Sequence, residues 1–149
     1  DRGETQLVGT ILSVDQVSPF GRLALGGAWA AVVISERPFA GRVGAVRIGL
    51  RSGGFLITTT IQETAESELD LIVAGTAEAI SMVEAGANEV DEETMLEALQ
   101  IAHEEIRTLC AVQLDLQKAA GKPKWDIAPL AVDDKVLKAI EKAAGKDLT

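Results

Sequence analysis

The feature that constrains this chain most is a periodic run between Val90 and Pro123. Leu96, Leu99, Ala102, Ile106, Leu109, Val112 or Gln113, and Leu116 step by three or four. That spacing predicts an amphipathic helix of about eight turns over about residues 91–120. Asp91 is placed to cap it, because a carboxylate there can accept from the backbone N–H groups one turn on. Glu92 and Glu93 suit the positive end of the helix dipole. Val90 sits where a hydrophobic staple would. Gly121 is expected at C′, and Pro123 bars continuation. Upstream, Leu69–Ala74 and Ala79–Glu84 read as a strand pair about a turn at Gly75–Glu78, and a second polar turn, Ala85–Glu89, leads to the helix.

The rest of the chain must pack around this unit. Leu7–Val14 is rich in aliphatic and β-branched residues and reads as a strand. Arg22–Ser35 is apolar almost all round and is expected as a buried helix, with Gly26, Gly27, Ala28, Ala30 and Ala31 allowing close approach to a sheet. Pro38 ends it. Val43–Arg51 alternates, with Val46, Ile48 and Leu50 on one face and Arg47, Gly49 and Arg51 on the other. Ser52-Gly53-Gly54 supplies a hairpin turn, and Phe55–Ile61 returns as the partner strand. Glu63–Glu68 is a solvated connection or a short helical turn. Lys122–Pro129 reads as a linker anchored by Trp125, followed by a shorter amphipathic helix, Asp133–Ala144, with Val136, Leu137 and Ile140 on its apolar face. The expected fold class is α+β.

Composition narrows the possible functions. Hydrophobic residues make up 47% of the 149 residues and aromatics 3%, so the core must be aliphatic. The net charge of −9 argues against a general nucleic-acid binder, which needs concentrated Lys and Arg. All seven Lys lie at or after Lys118, against five acids there; that stretch carries +2 and the first 117 residues −11. Cys110 is the only cysteine and fits a reducing compartment. No apolar run approaches the ~20 residues of a membrane span. A soluble, cytoplasmic chain is expected, with no membrane partner.

Few residues are candidates for chemistry. His103 is the only histidine, and no G-x-S-x-G nucleophile elbow accompanies it. Packing or surface is its expected role. Cys110 is expected in the core. Glu92, Glu93, Glu97, Glu104 and Glu105 read as a solvated face, because Glu104 and Glu105 directly follow His103, which is the wrong spacing for a di-metal helix site. The glycine pairs match neither phosphate-binding pattern. Arg22, Arg37, Arg42, Arg47 and Arg51 form the one basic region of the first half. Arg47 and Arg51 are the candidates for RNA phosphate contact; the plainer reading is surface charge that offsets the acids. No residue is assigned a catalytic or metal-binding role.

Several runs resemble polynucleotide phosphorylase. They are GTILSVD (Gly9–Asp15), RPFAGRVGAVRIG (Arg37–Gly49), ESELDLIVAGTAEAISMVEAGANEVDEETMLEAL (Glu66–Leu99) and IAHEEI (Ile101–Ile106). The likeness is to the latter half of that family's first RNase PH-like domain. It continues through GKPKWDIAPLAVDD (Gly121–Asp134), similar to the entry into the family's all-helical domain. The resemblance implies a partial RNase PH-like fold (ribosomal protein S5 domain 2-like) over 1–120, a mixed sheet with a buried helix and then the long helix. A linker and the start of a helical domain would follow over 121–149.

The family implies 3′-to-5′ phosphorolysis of RNA by a trimer using Mg and inorganic phosphate. Its catalytic carboxylates and phosphate-binding loop belong to its second RNase PH-like domain, and no matching motif stands here. Its Phe-Phe-Arg-Arg loop, KH and S1 modules have no counterpart either. RGETQ (Arg2–Gln6) resembles a motif from early in the second domain, as if two family-like pieces met at Asp1–Leu7. The expectation is a fragment, or a spliced or designed chain, that is inactive alone, needs no cofactor of its own, self-associates and contacts RNA weakly. An active enzyme completed by another chain, and an engineered or evolved assembly domain with no RNA role, are the alternatives.

Overall fold

The structure, a computed structural model, describes residues 4–39, 41–128 and 133–145. The elements in order are α1 (Phe20–Ile34), β1 (Gly44–Arg51), β2 (Gly54–Ile57), α2 (Ile61–Ala65), β3 (Leu69–Gly75), β4 (Ile80–Ala87), α3 (Glu92–Ala120) and α4 (Asp134–Ala144). The four strands form one sheet in the order β2-β1-β3-β4. Every pairing among them is antiparallel, which corrects the expected mixed sheet. The reason lies in the connections. Tight turns join β1 to β2 and β3 to β4, and the short link through α2 brings β3 back beside β1 in the opposite direction.

The turn between β1 and β2 is Ser52-Gly53, both at positive φ (51° and 75°), and Arg51 pairs with Gly54 across it. Positive φ at both central residues suits the right-handed twist of the flanking strands. The strand expected to run to Ile61 stops at Ile57. Thr58 turns to φ 67°, and Thr60 and Glu63 form a reciprocal capping box that starts α2 at Ile61. Gly49 is demanded by contact: a Cβ there would meet Thr59 Cγ2 at 2.7 Å and Ser67 Oγ at 3.0 Å.

The core lies between one face of the sheet and α3. Val46 faces Val73, Ile48 faces Leu71 and Leu50 faces Leu69, all buried. Against them α3 sets Ala98, Ala102, Ile106 and Cys110. Asp91 caps α3, accepting from Thr94 N at 2.8 Å. The buried line keeps Ala102, Ile106 and Gln113 of the expected stripe and adds Ala98 and Cys110 in place of the leucines. Leu96 and Val112 are each 61% exposed, while small Ala98 and Ala102 are fully buried. Small side chains let the helix lie close to the strands, and the leucine-rich stripe then falls at the margin. Gly121 is the C-cap rather than the expected C′ residue, and leaves the helix in extended geometry (φ −70°).

Two further expectations are corrected. Residues Leu7–Val14 form no strand, because no strand of the sheet lies beside them to complete a ladder. They run exposed along α1 and line a groove of about 770 Å³ with Phe20, Leu23 and Leu25. The helix α1 is not buried as a whole: only Val32 and Val33 are, and Leu23 is 81% exposed. Gly26 and Gly27 face open space rather than a sheet. Helix α4 keeps Val136, Leu137 and Ile140 exposed. Arg2 and residues 129–132 lie outside the described residues.

Candidate functional site

The second face of the sheet carries the charged candidates. Arg47 and Arg51 share it with Asp70 of β3 and Glu84 of β4, because the register sets Gly49 opposite Asp70 and Ile72 opposite Glu84. Arg47 reaches diagonally to Asp70, and Nε and Nη2 donate to Oδ1 and Oδ2, both at 2.5 Å. That forked geometry is the strong form of the arginine–carboxylate pair. The bond to Asp70 holds the Arg47 guanidinium above its ordinary pKa, against the opposing effect of burial. Arg51 pairs with Glu66 at 2.9 Å, with both side chains about half exposed. Each candidate RNA contact is thus already matched by a carboxylate.

The other arginines of the basic region are dispersed. Arg22 comes close to Arg47, and both line a cavity of about 200 Å³ between α1 and the sheet, with Leu25, Ala45 and Ile72. Burial, and then the charge of Arg47, lowers the pKa of Arg22. Arg37 bonds Thr5 Oγ1 and stacks over Trp125 at 5.3 Å. Arg42 donates from Nη2 to Gln117 Oε1 at 2.7 Å. The structure therefore joins Arg22 to Arg47 and sends Arg37 and Arg42 to structural partners.

His103 and Cys110 are also tied to the fold. His103 Nε2 lies 3.2 Å from Thr76 O, so that nitrogen carries the proton, and Arg107 Nε donates to Ala77 O. Together they pin the β3–β4 turn to α3. Burial, and then the charge of Glu78, pushes the Cys110 thiol up, and Sγ contacts Arg42 O at 3.4 Å. A protonated, buried thiol is a poor nucleophile. Among the described residues no group of three or more His, Cys, Asp or Glu could hold a metal ion.

Residues 41–105 match the family described as "3′ exoribonuclease family, domain 2". The polyribonucleotide nucleotidyltransferase of Thermomicrobium roseum is 48% identical over 86% of this chain. Those of Bacillus cytotoxicus and Roseiflexus castenholzii are 42% and 44% identical over 99% of it. The likeness to polynucleotide phosphorylase is shown. This chain spans only 16%, 21% and 20% of those relatives' own lengths. The family match covers the sheet with its two charge pairs and the first half of the long helix, since residues 41–105 run from before β1 into the middle of α3.

One polar residue escaped sequence reasoning. Lys124 Nζ donates to the carbonyls of Val32, Val33 and Ser35 at 3.1, 2.8 and 2.6 Å. It satisfies the open C-terminal end of α1, which has no basic residue in its own last turn. Trp125 N donates to Glu36 O and Lys122 N to Ile34 O, so the expected linker is docked over residues 122–125. The sequence signal was faint: an apolar helix with an uncapped end, and a lysine beside an anchoring tryptophan far along the chain.

Proposed function

We propose that this chain is a structural part of a 3′-to-5′ phosphorolytic exoribonuclease of the polynucleotide phosphorylase kind, serving assembly and weak RNA contact without a catalytic site of its own. The observation that carries the reading is the match to polyribonucleotide nucleotidyltransferases along 86–99% of the chain, at a fifth or less of most relatives' length. The placement of the polar side chains supports it. His103, Arg107 and Lys124 bond backbone carbonyls, and Arg47 occupies both oxygens of Asp70. Asp70 thus offers no open oxygen pair to a divalent ion, and the donor set does not fit the family's Mg. Phosphorolysis, with its metal and phosphate, is assigned to polypeptide other than these residues, in a cytoplasmic homo-oligomer for which the family suggests a trimer.

Arg47 and Arg51 remain the residues for RNA contact, and their carboxylate partners explain why that contact is weak: a phosphate must compete with Asp70 or Glu66. The same pairs favour the second reading, an assembly domain without an RNA role. Incubating the purified chain with poly(A), Mg and inorganic phosphate tests the first reading. No release of nucleoside diphosphates is expected, and release would overturn it. Binding to poly(A) that weakens steeply with salt separates the two readings. No binding even at low salt would leave only the second.

A further inference from the structure

Of the arginines in the basic region, Arg22 alone lacks a counter-group among the described residues. Arg37, Arg42, Arg47 and Arg51 each bond an oxygen. No hydrogen bond or ion pair of the described residues reaches the Arg22 guanidinium. Arg22 is also part-buried rather than free in solvent. Burial, and then the charge of Arg47, disfavour its charged form. A desolvated charge is costly unless one of opposite sign lies beside it. The nearby acids are held elsewhere. Arg47 occupies both oxygens of Asp70. Asp15 accepts from Val17 N, Ser18 N and Ser18 Oγ. Glu84, beyond Ile72 in the same row of the sheet, acts on Arg47 and not on Arg22.

The space beside Arg22 suits an anion. Arg22 and Arg47 both line the cavity of about 200 Å³ between α1 and the sheet. A water's share of liquid volume is about 30 Å³, so a tetrahedral oxyanion has room there. Arg47 keeps N–H groups beyond the Nε and Nη2 donors that meet Asp70. Pro19 and Gly21 bring the first turn of α1 to the same cavity. That turn has no side-chain cap and no acid, so the positive end of the helix dipole is left without an answering charge. Ile61 N donates to Val17 O at 2.9 Å and fixes the approach to the helix. Leu25, Ala45 and Ile72 make the remaining wall apolar, which strengthens a charge-assisted bond inside it. We propose that this cavity is an oxyanion site, in which Arg22 from α1 and Arg47 from β1 hold one phosphate group at the N-terminus of α1. A phosphate of the RNA backbone and free inorganic phosphate present the same chemistry to it. The RNA source deepens the weak RNA contact above and rests on that reading; the site itself does not. It binds and carries out no reaction.

Nuclear magnetic resonance of the arginine Nε–Hε groups tests this on the full chain, with sodium chloride matching the ionic strength. Inorganic phosphate is expected to shift the Arg22 and Arg47 signals saturably. Arg22→Gln, followed through the Arg47 signal, should weaken that binding roughly tenfold or more. Lys118→Gln removes the same charge from an exposed ion pair on α3 and should change it by less than about twofold. Ala45→Leu fills the cavity, keeps both arginines and should abolish binding with unchanged far-ultraviolet circular dichroism; if that variant unfolds, Arg22→Gln decides alone. Poly(A) is the second probe. A poly(A) shift at Arg22, with weaker poly(A) binding by Arg22→Gln, supports the site with the RNA backbone as its source. Phosphate binding without a poly(A) response supports the site, assigns it to free phosphate and counts against RNA contact. No shift at Arg22 with either probe, or equal phosphate affinity in wild type and Arg22→Gln, overturns the site. Release of nucleoside diphosphates, which would overturn the reading above, is a separate measurement and does not depend on this outcome.

Discussion

Replacing Ile106 with alanine tests the placement of α3 directly. Ile106 is fully buried in the cluster that joins α3 to β1 and β3. The change deletes three carbons, worth roughly 2.4 kcal/mol at about 0.8 kcal/mol per buried CH₂. The cavity left behind raises the cost, because Ile48, Leu69, Leu71 and Val73 around it are themselves fully buried and leave little room to collapse. The expected loss is about 3.5 kcal/mol, within the 2–5 kcal/mol range for such truncations. In urea, with a slope near 2 kcal/mol/M, the midpoint should fall by about 1.7 M without a change of slope. Val112→Ala is the matched control. It lies on the same helix but is 61% exposed, and its cost should stay within about 0.5 kcal/mol. A Val112 variant that loses as much as the Ile106 variant would refute the helix phase described here.

Three further outcomes are expected. Asp70→Asn should cost about 1 kcal/mol, since the pair is bidentate but part exposed, and should tighten poly(A) binding by freeing Arg47, whereas Arg51→Ala should weaken binding and reduce its salt slope by about 1; titrations over a salt series check both. Lys124→Met should cost about 1–2 kcal/mol through the three carbonyls it leaves bare, read as faster amide exchange at Ser35, whose N–H bonds the last turn of α1. Backbone N–H groups of Ser18, Thr60 and Thr94 hold the carboxyls of Asp15, Glu63 and Asp91 below their usual range. Their stabilisation is complete above the ordinary carboxylate pKa and is lost as pH falls through the lowered folded values. Urea midpoints should drop with acid, and Asp91→Asn, which keeps a cap that cannot titrate, should make the drop shallower.

The local signals were legible where chain neighbours decide the outcome. The Asp91 cap, the Ser52-Gly53 turn and the alternation of Val46, Ile48 and Leu50 each appear as read. The failures share a cause: they concern partners distant in sequence. Leu7–Val14 has the composition of a strand, but pairing requires a neighbour that composition cannot supply. The apolar character of α1 implied burial, yet among the described residues its Leu23 stays 81% exposed. For α3, Ala102, Ile106 and Gln113 of the predicted stripe are buried, while close approach selected Ala98 over the neighbouring Leu96. Arg47 and Arg51 were placed correctly on one face, but Asp70 and Glu66 become their partners only once β3 lies beside β1.

The Lys124 clasp also sets an order of events during synthesis. The carbonyls it holds stand 89 to 92 residues earlier in the chain. At about 5–20 residues per second, roughly 5–18 s pass between making the end of α1 and making the lysine that closes it. Helix α1 is therefore closed only after the whole of α3 has been made. Through that interval its apolar turns wait, available to chaperones or to a neighbouring nascent chain.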